Sequence, residues 1–303
     1  MKKDYLSGFY GVFFICCMLC ATNKIFSQAG NTHGVKIFHF SSSYTCFPET
    51  SRLNGYTYSG EFFDPATHYS DSSVLVVVPD HLKVKNNRVE LVFWFHGWRN
   101  SIDSALNYFH LASQLADSKT NAVLVLVEGA KNAADSYGGK LEQPGVFSRL
   151  VEDVIMNLQK NKIVVATCNA GNIVLAGHSG AYRVMAFMLQ NGGIEVKEVL
   201  LFDALYSQAD KYIDWIKKDS TNRFVNLYTD GGGTADESVK MTRELKVQNL
   251  PSLFTEEKEM NASLLRSGRF VFIHTGRKHN DIIFEPDNFR FFLENSPFLK
   301  KTR

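Results

Sequence analysis

The stretch that most constrains the fold is residues 172–185, which read Asn-Ile-Val-Leu-Ala-Gly-His-Ser-Gly-Ala-Tyr-Arg-Val-Met. An apolar run of buried-strand character, Ile173 to Ala176, ends at Gly177. A helical pattern begins a few residues later, with apolar residues at Val184, Phe187 and Met188. Because the spacing i, i+3, i+4 lines one face of a helix, we predict a strand, a tight turn and a helix here.

Ser179 lies at the apex of the predicted turn, with the small residues Gly177 and Ala181 two positions to either side. A serine on a sharp strand-to-helix turn is typical of a nucleophile elbow, which exposes the serine hydroxyl. The usual pattern has a glycine where Ala181 stands, so the match is Gly-x-Ser-x-Ala. The alternative interpretation is an ordinary strand-to-helix turn whose serine caps the helix.

Two further apolar runs also end in polar residues. Arg88 to Phe95 leads into His96-Gly97-Trp98. Arg269 to His274 leads into a loop that holds His279. Together with the turn of Ser179, these strands and the residues that follow them occur in an order that resembles the α/β-hydrolase superfamily. The resemblance covers roughly residues 74–295. The resemblance implies a mostly parallel central sheet with helices on both faces, and chemistry that needs no cofactor.

The rest of the chain alternates between apolar runs and helical patterns, which favours parallel strands joined by right-handed crossovers. The other predicted strands are Val35–Phe40, Ser73–Val78, Ala122–Val127, Val196–Phe202 and Arg223–Tyr228. Helical patterns cover Ile102–Phe109, Phe147–Leu158, Asp210–Lys217 and Asp287–Glu294. A turn at Asn86-Asn87 predicts an antiparallel hairpin between the strands at residues 73–78 and 88–95.

Residues 30–303 provide enough chain for one large α/β domain, and we expect a single domain. In many superfamily members a lid domain is inserted between the strands that here end at Phe202 and begin at Arg223. Only about twenty residues separate these strands, enough for one helix and turns. We therefore expect an open site without a large cap domain.

Residues 1–29 predict a secretory signal peptide. Lys2-Lys3 forms a basic start, Phe9 to Ala21 is an apolar run, and Ser27-Gln-Ala29 supplies small residues for a cleavage site. The apolar run has 13 residues, whereas a helix needs about 20 to span a bilayer. We therefore expect a secreted or periplasmic protein with no stable membrane insertion after removal of the signal.

Charge and residue spacing exclude several classes of partner. The predicted signal carries three of the 33 Lys and Arg residues and one of the 31 Asp and Glu residues, so residues 30–303 have no net charge. They show no basic stripe with interleaved aromatic residues, which argues against nucleic acid. The histidines lack the spacing of metal ligands, and the glycines at 231–233 lack the residues of a phosphate-binding loop. We expect neither a metal nor a cofactor.

Two cysteines remain after the predicted signal, Cys46 and Cys168. In an exported protein an even pair is compatible with one disulfide. Two free buried thiols are the alternative, because the two positions are far apart in sequence.

A serine nucleophile requires a base, since its hydroxyl is inert at neutral pH. We expect the base to be His279, because the polar loop around it is able to bring the imidazole over the turn. His274 is the alternative, but it lies within the strand pattern, where a packed or edge histidine is the ordinary interpretation. His178 is expected to point away from the pocket of Ser179 and to be a packing residue.

The base in turn requires a carboxylate. Asp230 follows the penultimate strand, the usual superfamily location, but residues 230–232 also form an ordinary Asp-Gly-Gly turn. Asp203 ends the preceding strand among apolar residues, where a carboxylate is costly unless it is paired. Asp203 is therefore favoured, with Asp230 as the alternative and Asp281 as a third candidate.

The oxyanion of an acyl-transfer reaction is held by backbone N–H groups. Gly180 is the expected first donor, and the resemblance implies Trp98 as the second. We expect Tyr137, Tyr182 and Tyr206, with Trp98, to surround the opening as substrate-binding residues. Plain packing is the alternative role for such loop aromatics.

These features predict a secreted serine hydrolase that cleaves carboxylic esters of small molecules or polymers. The expected machinery is a Ser-His-Asp triad of Ser179, His279 and Asp203 (or Asp230), acting through an acyl-enzyme. One alternative is a serine peptidase or amidase with the same machinery. The other is a non-catalytic binding protein with the same fold.

Overall fold

The computed structural model describes residues 31–32 and 34–302. The predicted signal peptide, residues 1–29, lies outside the described residues. Within them, the strands are β1 (Asn31–Thr32), β2 (Val35–Ser41), β3 (Tyr56–Tyr58), β4 (Glu61–Phe63), β5 (Ser73–Pro79), β6 (Arg88–Phe95), β7 (Ala122–Val127), β8 (Asn169–His178), β9 (Glu198–Phe202), β10 (Arg223–Thr229), β11 (Leu253–Glu256) and β12 (Phe270–Thr275).

The helices lie between these strands and after the last one. They are α1 (Pro65–His68), α2 (Ile102–Tyr108), α3 (Leu111–Ser118), α4 (Val146–Lys160), α5 (Tyr182–Asn191), α6 (Ala209–Lys218), α7 (Ala235–Val247), α8 (Ala262–Ser267) and α9 (Asn288–Glu294). Short 3₁₀ helices are present at Thr50–Arg52, Gly139–Glu142, Ser179–Ala181 and Glu257–Glu259.

One 10-stranded sheet forms the centre of the molecule, in the order β1-β2-β5-β7-β6-β8-β9-β10-β12-β11. All neighbours from β7 through β11 in this order pair in parallel. The strands β1, β2 and β5 pair antiparallel with their neighbours. The prediction of a mostly parallel central sheet is therefore confirmed.

The predicted hairpin between β5 and β6 is wrong. The strand β7 lies between them, antiparallel to β5 and parallel to β6. Within β7, Val125 pairs with Val76 on one side and with Phe93 on the other. Because β6 is apolar along most of its length, it is stable in the sheet interior between two parallel strands. The turn after β5 therefore connects two strands that are not neighbours.

The core has two layers, one on each face of the sheet. Side chains alternate between the faces of a strand, so that Val76 packs in one layer and Leu75 in the other. The helices α4, α5, α6 and α7 cover the first layer, and α2, α3, α8 and α9 cover the second. Helices on both faces are as predicted.

The connections determine how open the carboxyl edge of the sheet is. Between β9 and β10 the chain forms α6, and no large cap is present, which confirms that prediction. Several elements were not predicted from the sequence. They include the strands β1 and β11, the hairpin β3–β4 and the helices α1, α3 and α8. The break between α2 and α3 lies at His110, which adopts a left-handed φ of 52°.

The two described cysteines are not bonded to each other. Cys46 and Cys168 are both free and buried, so the structure contains the free-thiol alternative. Burial raises the pKa of the Cys46 thiol. Among the helices of the described residues, none has both the length and the apolar character that crossing a membrane requires.

The helix α4 provides a test of the core. Its side chain Leu150 is fully buried, whereas Met156 on the same helix is 54% exposed. We expect Leu150→Ala to lower the free energy of unfolding by about 2–5 kcal/mol, because it leaves a cavity. Met156→Ala is expected to change it by less than about 0.5 kcal/mol. Urea unfolding followed by circular dichroism measures both, and equal losses would contradict the assigned helix face.

Candidate active site

The turn between β8 and α5 places Ser179 at the carboxyl edge of the sheet. Ser179 has a φ of 54°, a left-handed conformation that is uncommon for residues other than glycine and marks local strain. Its side chain is partly exposed. The backbone then forms the 3₁₀ turn Ser179–Ala181 and continues as α5.

Close packing explains why small residues flank Ser179. A Cβ atom added at Gly177 would lie 2.7 Å from Ala181 Cβ and 2.5 Å from Met185 Sδ. Both distances are shorter than real contacts between such atoms. The alanine at position 181 therefore fits because position 177 has no side chain. The departure from the usual Gly-x-Ser-x-Gly pattern is accommodated without a change in the turn.

His279 and Asp203 form a direct hydrogen bond. Asp203 follows β9 and is fully buried, and its Oδ2 lies 2.6 Å from His279 Nδ1. Because a carboxylate only accepts, Nδ1 carries the proton, and Nε2 is left facing outward from the pair. The His279 side chain is 30% exposed. The pair thus consists of an accessible imidazole held by an inaccessible carboxylate.

Other donors also hold the Asp203 carboxylate. The backbone N–H of Thr229 donates to Oδ1 at 3.0 Å and its hydroxyl donates to Oδ2 at 2.7 Å. The hydroxyl of Thr234 donates to Oδ1. Burial alone would raise the pKa of Asp203, but the hydrogen bonds from His279, Thr234 and Thr229 outweigh it and lower that pKa. The carboxyl group is therefore held as an anion.

Asp230 lies elsewhere. It is 74% exposed, and its Oδ1 lies 3.0 Å from His274 Nε2. The other ring nitrogen of His274 lies 2.9 Å from Glu256 Oε2. Burial would lower the pKa of His274, but hydrogen bonds to Glu256 and Asp230 raise it. Both ring nitrogens face carboxylates, so the protonated form of His274 is favoured and neither nitrogen is free to act as a base.

The turn that contains Asp230 still contributes to the site. A Cβ at Gly232 would lie 1.8 Å from Asp203 Oδ2, so only glycine allows the backbone to close over the carboxylate. The N–H of Gly232 donates to Thr229 Oγ1 at 2.8 Å, which directs the threonine proton to Asp203. Asp281, in the same loop as His279, has no side-chain contact with His279 among the described residues.

His178, expected only to pack, also contacts His279. Its Nε2 lies 3.0 Å from the backbone oxygen of His279, and the two ring centroids are 4.4 Å apart. Burial, with the nearby charge of His279, lowers the pKa of His178 to about 3. The ring is therefore neutral, and its N–H donates to the carbonyl oxygen. Sequence reasoning missed this contact because the two histidines are 101 residues apart.

The loop after β6 packs against the turn of Ser179. A Cβ at Gly97 would lie 2.6 Å from Ser179 Cβ and 3.1 Å from the backbone nitrogen of Gly180. Only glycine permits this approach, which brings the following N–H, that of Trp98, next to the turn. The N–H of Gly180 lies in the first turn of a 3₁₀ helix and has no acceptor within it.

A buried pair fixes the direction of this loop. His96 Nδ1 donates to the backbone oxygen of Gly97 at 2.8 Å, and its Nε2 lies 2.8 Å from Glu128 Oε1. In a planar trans peptide the C=O and the N–H point in opposite directions. Holding the oxygen of Gly97 on one side therefore fixes the N–H of Trp98 on the other.

Aromatic side chains flank the turn on two sides. Trp98 is 40% exposed and donates its indole N–H to Ser136 Oγ at 2.7 Å. Tyr182 and Tyr206 lie with their ring centroids 5.8 Å apart. Burial and the charge of Asp203 raise the Tyr206 pKa to about 12, although an interaction with the Ser179 side chain lowers it. Tyr206 is therefore a neutral phenol near Ser179.

Tyr137 occupies a different position from the other predicted substrate-binding residues. The guanidinium groups of Arg52 and Arg183 lie over its ring, 4.7 and 5.1 Å from the ring centroid. Tyr137 also lines a small cavity of about 20 Å³ with Ser136 and Gly180. The two cation–π contacts hold the ring in place, and it forms part of the wall next to Gly180. Among the described residues, no group of three potential ligands could hold a metal ion.

Comparisons with known proteins give matches by structure. A scan against protein-family models finds no match, and a search of the curated proteins finds none either. A ferulic acid esterase superposes with a TM-score of 0.53 and 9% identity, covering 86% of this chain and 99% of that chain. A fluorophosphonate-binding serine hydrolase from Staphylococcus aureus gives 0.51 and 11%, covering 86% and 98%.

A third similar structure is carboxyl esterase 2 from Tuber melanosporum, with a TM-score of 0.50 and 12% identity, covering 88% of each chain. At these identities the likeness concerns the fold. This chain therefore has the α/β-hydrolase fold.

Proposed function

We propose that this chain is a secreted serine hydrolase that cleaves carboxylic esters through an acyl-enzyme intermediate. The observation that carries the proposal is the 2.6 Å hydrogen bond between His279 Nδ1 and the buried carboxylate of Asp203. The ring of His279 packs against His178, the residue before Ser179, with the ring centroids 4.4 Å apart, and Ser179 is held at the apex of a strained turn. Nucleophile, base and orienting acid are the parts that acyl transfer requires.

In the proposed acylation step, Ser179 Oγ attacks the ester carbonyl carbon while His279 Nε2 takes the hydroxyl proton. The carbonyl oxygen becomes an oxyanion, which the N–H groups of Gly180 and Trp98 bind. Collapse of this intermediate breaks the bond to the alcohol, and His279 returns the proton to the leaving alkoxide oxygen. The acyl group remains on Ser179.

In the deacylation step, a water molecule attacks the acyl carbon and gives its proton to His279. The second oxyanion collapses, Ser179 leaves and regains a proton from His279, and the carboxylic acid is released. Throughout, Asp203 stays ionised and stabilises the imidazolium. Its lowered pKa supports this role, because a carboxyl that stays charged does not compete for the proton.

The proposed substrates are esters on small molecules or on polymers, since the described chain has only α6, and no large cap, between β9 and β10. Trp98, Tyr182 and Tyr206 are proposed to contact the substrate, with Tyr137 forming part of the wall next to Gly180. The three similar structures are two esterases and a serine hydrolase, which supports this class of reaction. A serine peptidase or amidase would use the same groups, and a binding protein would use none of them.

The nucleophile is tested by a fluorophosphonate probe, which reacts with activated serines. We expect the protein to be labelled, and Ser179→Ala to lose both labelling and hydrolysis of short p-nitrophenyl esters. Matched p-nitroanilides are expected to react far more slowly. Ser136→Ala is the control, because this serine is near the site but is not the nucleophile. Absence of labelling would favour the binding protein, and faster cleavage of anilides would favour the amidase.

The acid is tested by comparing Asp203→Asn with Asp230→Asn. An amide at position 203 favours the wrong tautomer of His279, so we expect turnover to fall by roughly 10³–10⁴-fold. Asp230→Asn removes a partner of His274 only and is expected to reduce turnover by less than about tenfold. Ester hydrolysis at pH 8 measures both, and similar losses in the two variants would contradict the assignment.

Export is tested by producing the full chain in a bacterial host with a secretory pathway. We expect the exported protein to begin at Gly30, as read by mass spectrometry of its N-terminus. Ala29→Arg places a bulky charge at the cleavage site and should leave the leader attached. A protein that stays in the cytoplasm with residues 1–29 intact would refute the signal peptide.

A further inference from the structure

Glu257 binds both ends of the loop that carries His279. This residue follows the edge strand β11 and is 13% exposed. Its Oε2 accepts hydrogen bonds from Thr275 Oγ1 at 2.7 Å and from Arg277 Nε at 2.8 Å. Its Oε1 accepts one from Asn288 Nδ2 at 2.8 Å. Thr275 ends β12 and Asn288 begins α9.

The loop between these two residues has little packing of its own near His279. Residues 276–278 and residue 280 are exposed. The backbone oxygen of His279 is held by His178, and Ile282 and Ile283 are fully buried further along the loop. The exposed part, from residue 276 to residue 280, is therefore fixed from the β12 side through Thr275 and Arg277, both of which bind Glu257.

We propose that Glu257 is a positioning residue that sets the path of the 276–287 loop and, through it, the place of the His279 imidazole relative to Ser179. This inference rests on the proposed function. One carboxylate that bridges both loop ends fixes the distance between them, in a way that two separate contacts would not. Charge-assisted bonds of this kind are roughly twice as strong as neutral ones.

The geometry makes His279 sensitive to this loop. Its hydrogen bond to Asp203 is 2.6 Å long, and Asp203 is immobilised by Thr229 and Thr234. The imidazole cannot follow a displaced backbone and keep this bond at the same time. A displacement of about 1 Å in a catalytic geometry costs up to about 10²-fold in rate.

The experiment compares Glu257→Ala, Glu257→Gln and the matched control Glu259→Ala. Glu259 lies in the same 3₁₀ helix and is exposed. Active sites are counted on a separate aliquot by complete reaction with the fluorophosphonate probe, so that kcat is expressed per folded, reactive site. We expect Glu257→Ala to lower kcat by about 10- to 100-fold with KM changed by less than about twofold, because Glu257 does not touch substrate.

Glu257→Gln keeps an acceptor oxygen for one loop end, so its kcat is expected to lie between those of Glu257→Ala and the unmodified protein. The kcat of Glu259→Ala should equal that of the unmodified protein. The decisive measurement repeats Glu257→Ala in a His279→Ala background. If Glu257 acts through His279, the double variant should have the same residual rate as His279→Ala alone, since the effects of coupled residues do not add.

The proposal is overturned if kcat per titrated site is unchanged in Glu257→Ala, or if the same loss occurs with and without His279. A purely structural role would lower the melting temperature and the fraction of titratable sites and leave kcat per site as it was. Failure of the parent protein to label or to hydrolyse any ester is a different outcome, because it would refute the proposed function itself.

Discussion

The buried carboxylate of Asp203 is the constraint on which the candidate site depends. An anion without exposure to water is costly unless donors replace the water it has lost, and here the donors are Thr229, Thr234 and His279. The pKa of Asp203 is lower in the folded protein than in the unfolded chain. The ionised carboxylate therefore stabilises the fold at pH values above the ordinary Asp pKa of about 3.9. This stabilisation is lost as the pH falls through the lowered pKa of the folded protein. Burial of this group thus makes the fold and the proposed chemistry depend on the same hydrogen bonds.

Two residues of the candidate site have left-handed backbone conformations. Ser179 and Asp203, which follow the neighbouring strands β8 and β9, have φ values of 54° and 45°. Such conformations are unfavourable for residues with a side chain and persist when the surrounding structure determines them. Parallel pairing of β8 with β9 fixes both strand ends, and glycines at 97, 177 and 232 admit the close approaches around them. The rigid sheet therefore holds two side chains in directions that a flexible loop would not maintain.

Much of this arrangement is predictable from the sequence, for identifiable reasons. The turn of Ser179 and the helix α4 have short-range patterns in residue size and period. The preference for Asp203 follows from the cost of a carboxylate among apolar residues. Pairing partners lack such a local signal, so the position of β7 between β5 and β6 was predicted wrongly. The strand β11 has four residues, which is too short to show an alternation of apolar and polar side chains. Because this strand was not predicted, the contacts of Glu257, which follows it, were not predicted either. The contact between His178 and His279 depends on tertiary structure alone.

The order of strands in the sheet has a consequence for how the chain matures. Ser179 follows β8, Asp203 follows β9, the threonines that bind Asp203 follow or end β10, and His279 follows β12. His279 comes 100 residues after Ser179 in the chain, and contacts between residues far apart in sequence form slowly. A nascent or partly folded chain consequently has the serine but lacks its partners. If the proposed function holds, reactivity of this serine would therefore appear only after β12 and the loop that follows it have joined the sheet.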